Sequence, residues 1–287
     1  MRAKGHNALV WSIDMAGVTS PKVHMGTITG AEGRALYAKN PVILIPVGSH
    51  EDQGPHAPMG DYLLAEKIAE LTALRAMSLG TPTVVAPVLP YGGDDFFAPM
   101  IGGICLSKET ATAVMREMLA ALHRNNLTRI IFVNGHGGNA GPITEVTREV
   151  YKRTRQVIPS LYLWKIAYGL LVKNLGAAGA AAVSGHGADP LTSIGMHLFP
   201  DMIRTDMIPE GKPLKREATL DLPFLSLGAL SFEGHEIGAP HEYDEVYNLG
   251  VAKGDPRLCK AETGALLVEQ LVDIGARFAA LYASKTS

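Results

Sequence analysis

Residues 41–61 read Pro41-Val42-Ile43-Leu44-Ile45-Pro46-Val47-Gly48-Ser49-His50-Glu51-Asp52-Gln53-Gly54-Pro55-His56-Ala57-Pro58-Met59-Gly60-Asp61. The first seven residues form a short apolar run rich in branched side chains, stopped by Gly48, which reads as a strand buried on both faces. From Asp61 the pattern changes: Leu63, Leu64, Ile68, Leu71 and Leu74 recur at helical spacing, predicting a helix over 61–77. A buried strand, a loop full of titratable side chains and a helix is one β–loop–α unit. The same unit recurs downstream. Residues 83–89 read as a second strand, 107–122 as a helix capped by Ser107, 129–133 as a third strand and 141–151 as a third helix. A fourth strand is expected over 161–166, and a closing helix over 260–282. Between them the pattern loosens. Residues 170–183 are rich in Ala and Gly, 209–223 read as surface loop, and 224–232 read as one more strand.

Strands alternating with helices of this length build a mostly parallel sheet covered on both faces, an α/β fold with α/β/α layering. Neither a repeat nor a low-complexity linker divides the 287 residues, so a single domain over 1–287 is expected. Hydrophobic residues make up 47% and charged residues 19%, values of a globular enzyme rather than a disordered chain. A net charge of −2 provides no basic field for nucleic acid or an anionic membrane. No run reaches about 20 uninterrupted apolar residues, so a membrane span is not expected. The two cysteines, Cys105 and Cys259, are far apart without metal-ligand spacing, which fits a reducing compartment and a cytoplasmic location.

In open α/β sheets the ligand crevice lies beyond the carboxyl ends of the strands. The segments leaving the strands, 48–60, 91–103 and 134–139, hold much of the metal-capable chemistry. Glu51, Asp61, His50 and His56 cluster in the first; carboxylates and imidazoles are the common ligands of zinc, manganese and iron. A plainer reading makes Asp61 a helix cap and Glu51 a solvated charge. In Asn134-Gly135-His136-Gly137-Gly138-Asn139 the histidine directly follows a strand, among glycines that allow tight turns and close approach of a ligand. Neither the dinucleotide glycine spacing nor the phosphate-loop ending is present, which argues against a nucleotide site. His186 and Asp189 are candidate acid–base groups, although Asp189-Pro190 is also a sound helix start. Trp164 either walls a flat substrate or fills core. A Gly-x-Ser-x-Gly elbow is absent, and Ser193 and Cys105 lack a local nucleophile signature. The acids and histidines at Glu233, His235, His241, Glu242, Asp244 and Glu245 read by default as solvated loop.

Taken in order, these pieces resemble the creatininase family. The resemblance rests on Pro46-Val47-Gly48-Ser49, Glu51, Gly54-Pro55-His56 and Pro58 before an acid that opens a helix, then on residues 134–139. Gly185-His186 through Thr192-Ser193, and Gly250-Val251, Gly254-Asp255-Pro256 and Gly264, complete it. It implies a divalent metal centre of one or two ions (Zn, Mn or Fe), hydrolysis of cyclic amides or formamides, and a homo-oligomer, commonly a hexamer. Carried over by position, Glu51, Asp61 and His136 match metal ligands, His186 a histidine near the substrate, and Trp164 a tryptophan that covers it. The chain departs from the pattern at Gln53, where the family usually has a histidine, and Asp61 comes one residue early. Gly138 and Leu191 stand where the member that names the family has acids; Asp189 is the nearest carboxylate.

The expected function is therefore metal-dependent hydrolysis of a C–N bond in a small molecule, by water activated on the ion. Rival readings keep the metal but cleave a lactone, an imine or a cyclic ketone. A further rival is a degenerate member that only binds a ligand or supports an assembly.

Overall fold

The computed structural model describes residues 22–211 and 214–286. The apolar runs form β1 (Val42–Val47), β2 (Thr83–Val85), β3 (Ile130–Asn134) and β4 (Ser160–Tyr162), laid side by side in the order β2-β1-β3-β4. All three neighbouring pairs are parallel. The connections are helical: α1 (Gly30–Tyr37) precedes β1, α2 (Asp61–Ser78) joins β1 to β2, α3 (Lys108–Arg124) joins β2 to β3, and α4 (Ala140–Thr154) joins β3 to β4. After the sheet come α5 (Leu163–Val183), α6 (Leu191–Leu198), α7 (Tyr243–Val246) and the closing α8 (Ala261–Lys285).

The pleat sorts each strand's residues between two cores. Val42, Leu44, Ile131 and Val133 pack with Ile68 of α2, Leu171 of α5 and Leu271 of α8. Their alternates Ile43, Ile45, Ile130 and Phe132 pack with Met115 and Leu119 of α3 and with Ile143 and Val146 of α4. Every residue of β1 is buried, which is why it reads as a continuous apolar run rather than an alternation. The result is the expected α/β/α layering of a mostly parallel sheet. α2 leaves β1 on one face and α4 leaves β3 on the other, so the connections of these neighbouring strands diverge and open a crevice at their carboxyl ends.

Three expectations need correction. The fourth strand is only Ser160–Tyr162, and Leu163 already begins α5, so Trp164 is helical. β4 pairs with β3 only up to Asn134; beyond it Leu163, Ala167 and Leu171 recur every four residues and bury one helical face. The loose Ala/Gly stretch 170–183 is the continuation of that helix, interrupted at Gly176, whose φ of 75° and ψ of 165° suit glycine alone. Among the described residues α5 is the one helix long and apolar enough to cross a membrane; Lys165, Lys173 and Asn174 interrupt it, and the Asn174 amide donates to Gln270 of α8 at 3.0 Å. Finally, the single strand expected over 224–232 is a hairpin. After β5 (Gly185–His186), the chain forms β6 (Ala218–Thr219), β7 (Leu222–Ser226), β8 (Ala229–Phe232) and β9 (His235–Gly238), an antiparallel sheet in that order. β10 (Ala252–Lys253) then returns to pair antiparallel with β5.

Candidate metal centre

At the end of β1 the chain turns so tightly that a Cβ on Gly48 would lie 2.4 Å from the Tyr62 backbone. That closeness brings the first turn of α2 onto the strand: the Ser49 N–H donates to Asp61 Oδ1 at 2.5 Å. Asp61 is thus no helix cap. Gly60 is the N-cap residue, and the Asp61 carboxylate points back at the β1 loop. At the end of β3, the His136 N–H donates to Asn134 Oδ1 at 3.0 Å, and its ring lies against Gly93 O, 3.1 Å from Nε2. A backbone carbonyl only accepts, so this bond places a proton on Nε2 and turns Nδ1 toward the carboxylates. Nδ1 is 3.2 Å from Asp61 Oδ2 and 3.4 Å from Glu51 Oε1.

A third loop joins them. Asn139 spans the gap between strands, its Nδ2 donating to Gly48 O at 3.1 Å and its Oδ1 accepting from the Gly93 N–H at 2.9 Å. This clamp draws in the β2 loop, and with it Asp95, whose Oδ2 lies 3.5 Å from His136 Nε2. Glu51, Asp95 and His136 have ligand atoms within 4.8 Å of one another.

The electrostatics follow from burial. Glu51, Asp61 and His136 are each about 2% exposed. Burial, with the neighbouring Glu51 charge, pushes the Asp61 carboxyl up to about 7, against the pull of His136. Burial also raises Asp95. Glu51 is held below the ordinary carboxylate range because His136, with help from His186, outweighs its burial. Burial opposes a charged His136, yet the Glu51 and Asp61 carboxylates lift it well above the usual histidine value. Three carboxylates surround a single imidazole, so the acids stay in excess even when His136 is charged, and Glu51 Oε2 and Gln53 Oε1 are buried with no hydrogen-bond partner. Oxygen-rich donors, an imidazole nitrogen and a net negative cluster suit a divalent cation.

The remaining sequence candidates line one cavity of about 350 Å³ with these groups: Trp164, His186 and Asp189, as well as Gln53 and Leu191. His186 is held on three sides. Its backbone pairs with Ala252, its ring stacks on Phe97 at 3.8 Å, and its Nε2 is 2.5 Å from Asp52 O. Its Nδ1 therefore faces inward, 3.9 Å from Glu51 Oε1. Asp189 Oδ1 accepts from the Ser193 N–H at 2.9 Å, so part of this carboxylate ties down the start of α6. The Trp164 indole N–H donates to Gly135 O, leaving only its ring for a ligand. Tyr168, one turn further along α5, lines the same wall. A separate cavity of about 410 Å³, lined by Phe224, Tyr247, Lys253 and Arg257, lies outside this cluster.

The sequence reading missed Asp95, Phe97 and Tyr168. Asp95 lies in the segment leaving the second strand, so its position was legible; its approach to His136 depends on the Asn139 clamp. The acids near the hairpin do not join the centre: Glu233 is exposed, and Glu242 and Glu245 form a capping box on α7.

The creatininase (creatinine amidohydrolase) family model matches residues 27–279. A mycofactocin precursor peptide peptidase of Mycobacterium tuberculosis is 27% identical over 262 residues, covering 87% of this chain and 88% of the peptidase. A 3-dehydro-scyllo-inosose hydrolase of Thermotoga maritima is 27% identical over 266 residues, covering 88% and 80%. The manganese form of a creatininase superposes with a TM-score of 0.70 at 21% identity, covering 91% of this chain and 99% of that one. With the family model spanning most of the chain, and with the layered fold and its strand-end cluster in place, the chain belongs to the creatininase family, whose amidohydrolase and peptidase members are metal-dependent hydrolases acting on C–N bonds.

Proposed function

We propose that Glu51, Asp61 and His136 hold a divalent cation (zinc, manganese or iron, as one or two ions), and that the chain hydrolyses an amide, cyclic amide or formamide of a small molecule. The single observation that carries this reading is the convergence of His136 Nδ1 with Asp61 Oδ2 and Glu51 Oε1, buried and in charge excess, at the ends of β1 and β3. When bound, such a cation polarises a carbonyl and lowers the pKa of water toward neutrality.

The protein's own groups supply the rest. His186, with Nε2 committed to Asp52 O, presents Nδ1 to the cavity as a fixed proton acceptor, and its stacking on Phe97 keeps it from turning away. In returning that proton to the departing nitrogen it completes the acid–base cycle, and Asp189 is the second carrier along the same wall. The Trp164 and Tyr168 rings give a flat substrate an apolar face and exclude water from it. A homo-oligomer in the cytoplasm fits the exposed Leu225, Phe232 and Ile237 of the antiparallel sheet and the free thiols Cys105 and Cys259.

The relative named as a 3-dehydro-scyllo-inosose hydrolase favours a second reading, hydrolysis of a cyclic ketone by the same groups. The deciding experiment is a panel of cyclic amides, formamides, lactones and cyclic ketones assayed with the metal-loaded protein. Turnover of amides or formamides supports the first reading, turnover of ketones alone replaces it with the second, and no turnover of any class sinks both.

A further inference from the structure

We infer that Asp95, carried by the loop after β2, is a further ligand of the cation centre and acts through Oδ2. This rests on the centre proposed above. Asp95 is not a surface acid that happens to lie nearby. Its side chain is 16% exposed, and its Oδ1 is already used, accepting from the Phe97 N–H at 3.0 Å. Oδ2 is therefore the free oxygen; it lies 3.5 Å from His136 Nε2, and the ligand atoms of Asp95, Glu51 and His136 come within 4.8 Å of one another.

The loop has no latitude to carry that oxygen elsewhere. Asn139 holds Gly93 from the turn after β3, and the backbone of Gly138 lies so close that a Cβ there would sit 2.0 Å from Gly93 O. A Cβ on Gly92 would sit 2.6 Å from the His136 ring. On the far side of Asp95, the Phe97 ring is stacked on His186. One short loop thus touches both imidazoles of the cavity, His136 through Gly92 and Asp95 and His186 through Phe97.

Charge then decides what the carboxylate is for. The Nε2 proton of His136 is spent on Gly93 O, and the contact from Nε2 to Asp95 is too long for a hydrogen bond. Asp95 and Glu51 nonetheless bring ligand atoms within 4.8 Å of each other, and Glu51 Oε2 is buried without any partner. Two carboxylates facing one another across a buried gap repel unless a proton or a cation is shared between them, and a divalent cation would satisfy both. The metal centre is then built from three loops, with one carboxylate or imidazole source at the end of each of β1, β2 and β3.

The test is Asp95→Asn, which keeps an oxygen for the Phe97 N–H and so keeps the loop turn. Affinity for Zn²⁺ and Mn²⁺ is measured by competition with a chromophoric chelator, on wild type and variant, together with the thermal midpoint of the metal-free proteins. The expected result is a loss of at least about 10-fold in affinity, the smallest that removing even an outer partner of a ligand typically causes, an altered visible spectrum of the Co²⁺ form, and an unchanged metal-free midpoint. Asp95→Glu recovers part of the affinity, because it restores the charge on a longer arm. Wild-type affinity and an unchanged Co²⁺ spectrum in Asp95→Asn would overturn the inference, as would a fall in metal-free stability that accounts for the loss. If wild type itself binds neither ion, the underlying proposal fails; if wild type binds and Asp95→Asn binds equally, only the role of Asp95 fails.

Discussion

The two nitrogens of the His136 ring have different partners. Nε2 is anchored to a backbone carbonyl, and Nδ1 is left for the carboxylates. His136→Ala is expected to remove the bound cation and the activity together, while the metal-free fold persists; elemental analysis and thermal melts of both proteins check it. Retained metal with full activity would sink the assignment. Asn139 is the companion residue. Asn139→Ala leaves Gly93 N and Gly48 O without their partner, and each buried orphan costs about 1–3 kcal/mol. Urea unfolding of that variant should show the loss, and a midpoint equal to wild type would mean that water replaces the clamp. Gly138 makes a third case. Its Cβ position is occupied by Gly93 O, so Gly138→Ala is expected to cost about 1–3 kcal/mol through overpacking and to loosen His136 as well.

At the scale of elements, the strand ends matter more than the strands. Each of the first three parallel strands stops at a loop that brings a titratable side chain, Glu51, Asp95 or His136, into one cluster, and α2 begins with the Asp61 carboxylate beside it. The helix α5 is the least regular element, and its break at Gly176 has a cause in backbone geometry rather than crowding. Nothing lies within 4 Å of where a Cβ would be, yet φ is +75°. Gly176→Ala is therefore expected to destabilise by about 1–3 kcal/mol, in contrast to Gly138, where the neighbour and not the dihedral forbids a side chain. A chemical denaturation curve for Gly176→Ala tests this, and an unchanged midpoint would show that the helix straightens at no cost.

For the whole molecule, a cation that binds the folded chain and not the unfolded one links stability to metal. Removing it with a chelator should lower the melting temperature, and titrating Mn²⁺ or Zn²⁺ back should raise it. At a free ion concentration of about 100 times Kd the gain is roughly 2.7 kcal/mol. A melting temperature indifferent to chelator and to added ion would count against the centre. The layered α/β fold was legible in the sequence because a strand buried on both faces must be a continuous apolar run, as 41–47 and 129–133 are. The placement of Glu51, Asp61 and His136 was legible for a related reason: residues that directly follow parallel strands collect at one edge of the sheet. The sequence by itself therefore determined the layers, the edge that carries the chemistry and most of the candidate groups. Tertiary structure alone decided the end of β4 after Tyr162, since a short apolar stretch suits strand or helix until its neighbour runs out of edge. It also decided that Asp95 approaches His136. That approach depends on an amide bridge from Asn139 and on glycine backbones packed without room for a Cβ, contacts between residues more than 40 positions apart that no local pattern records.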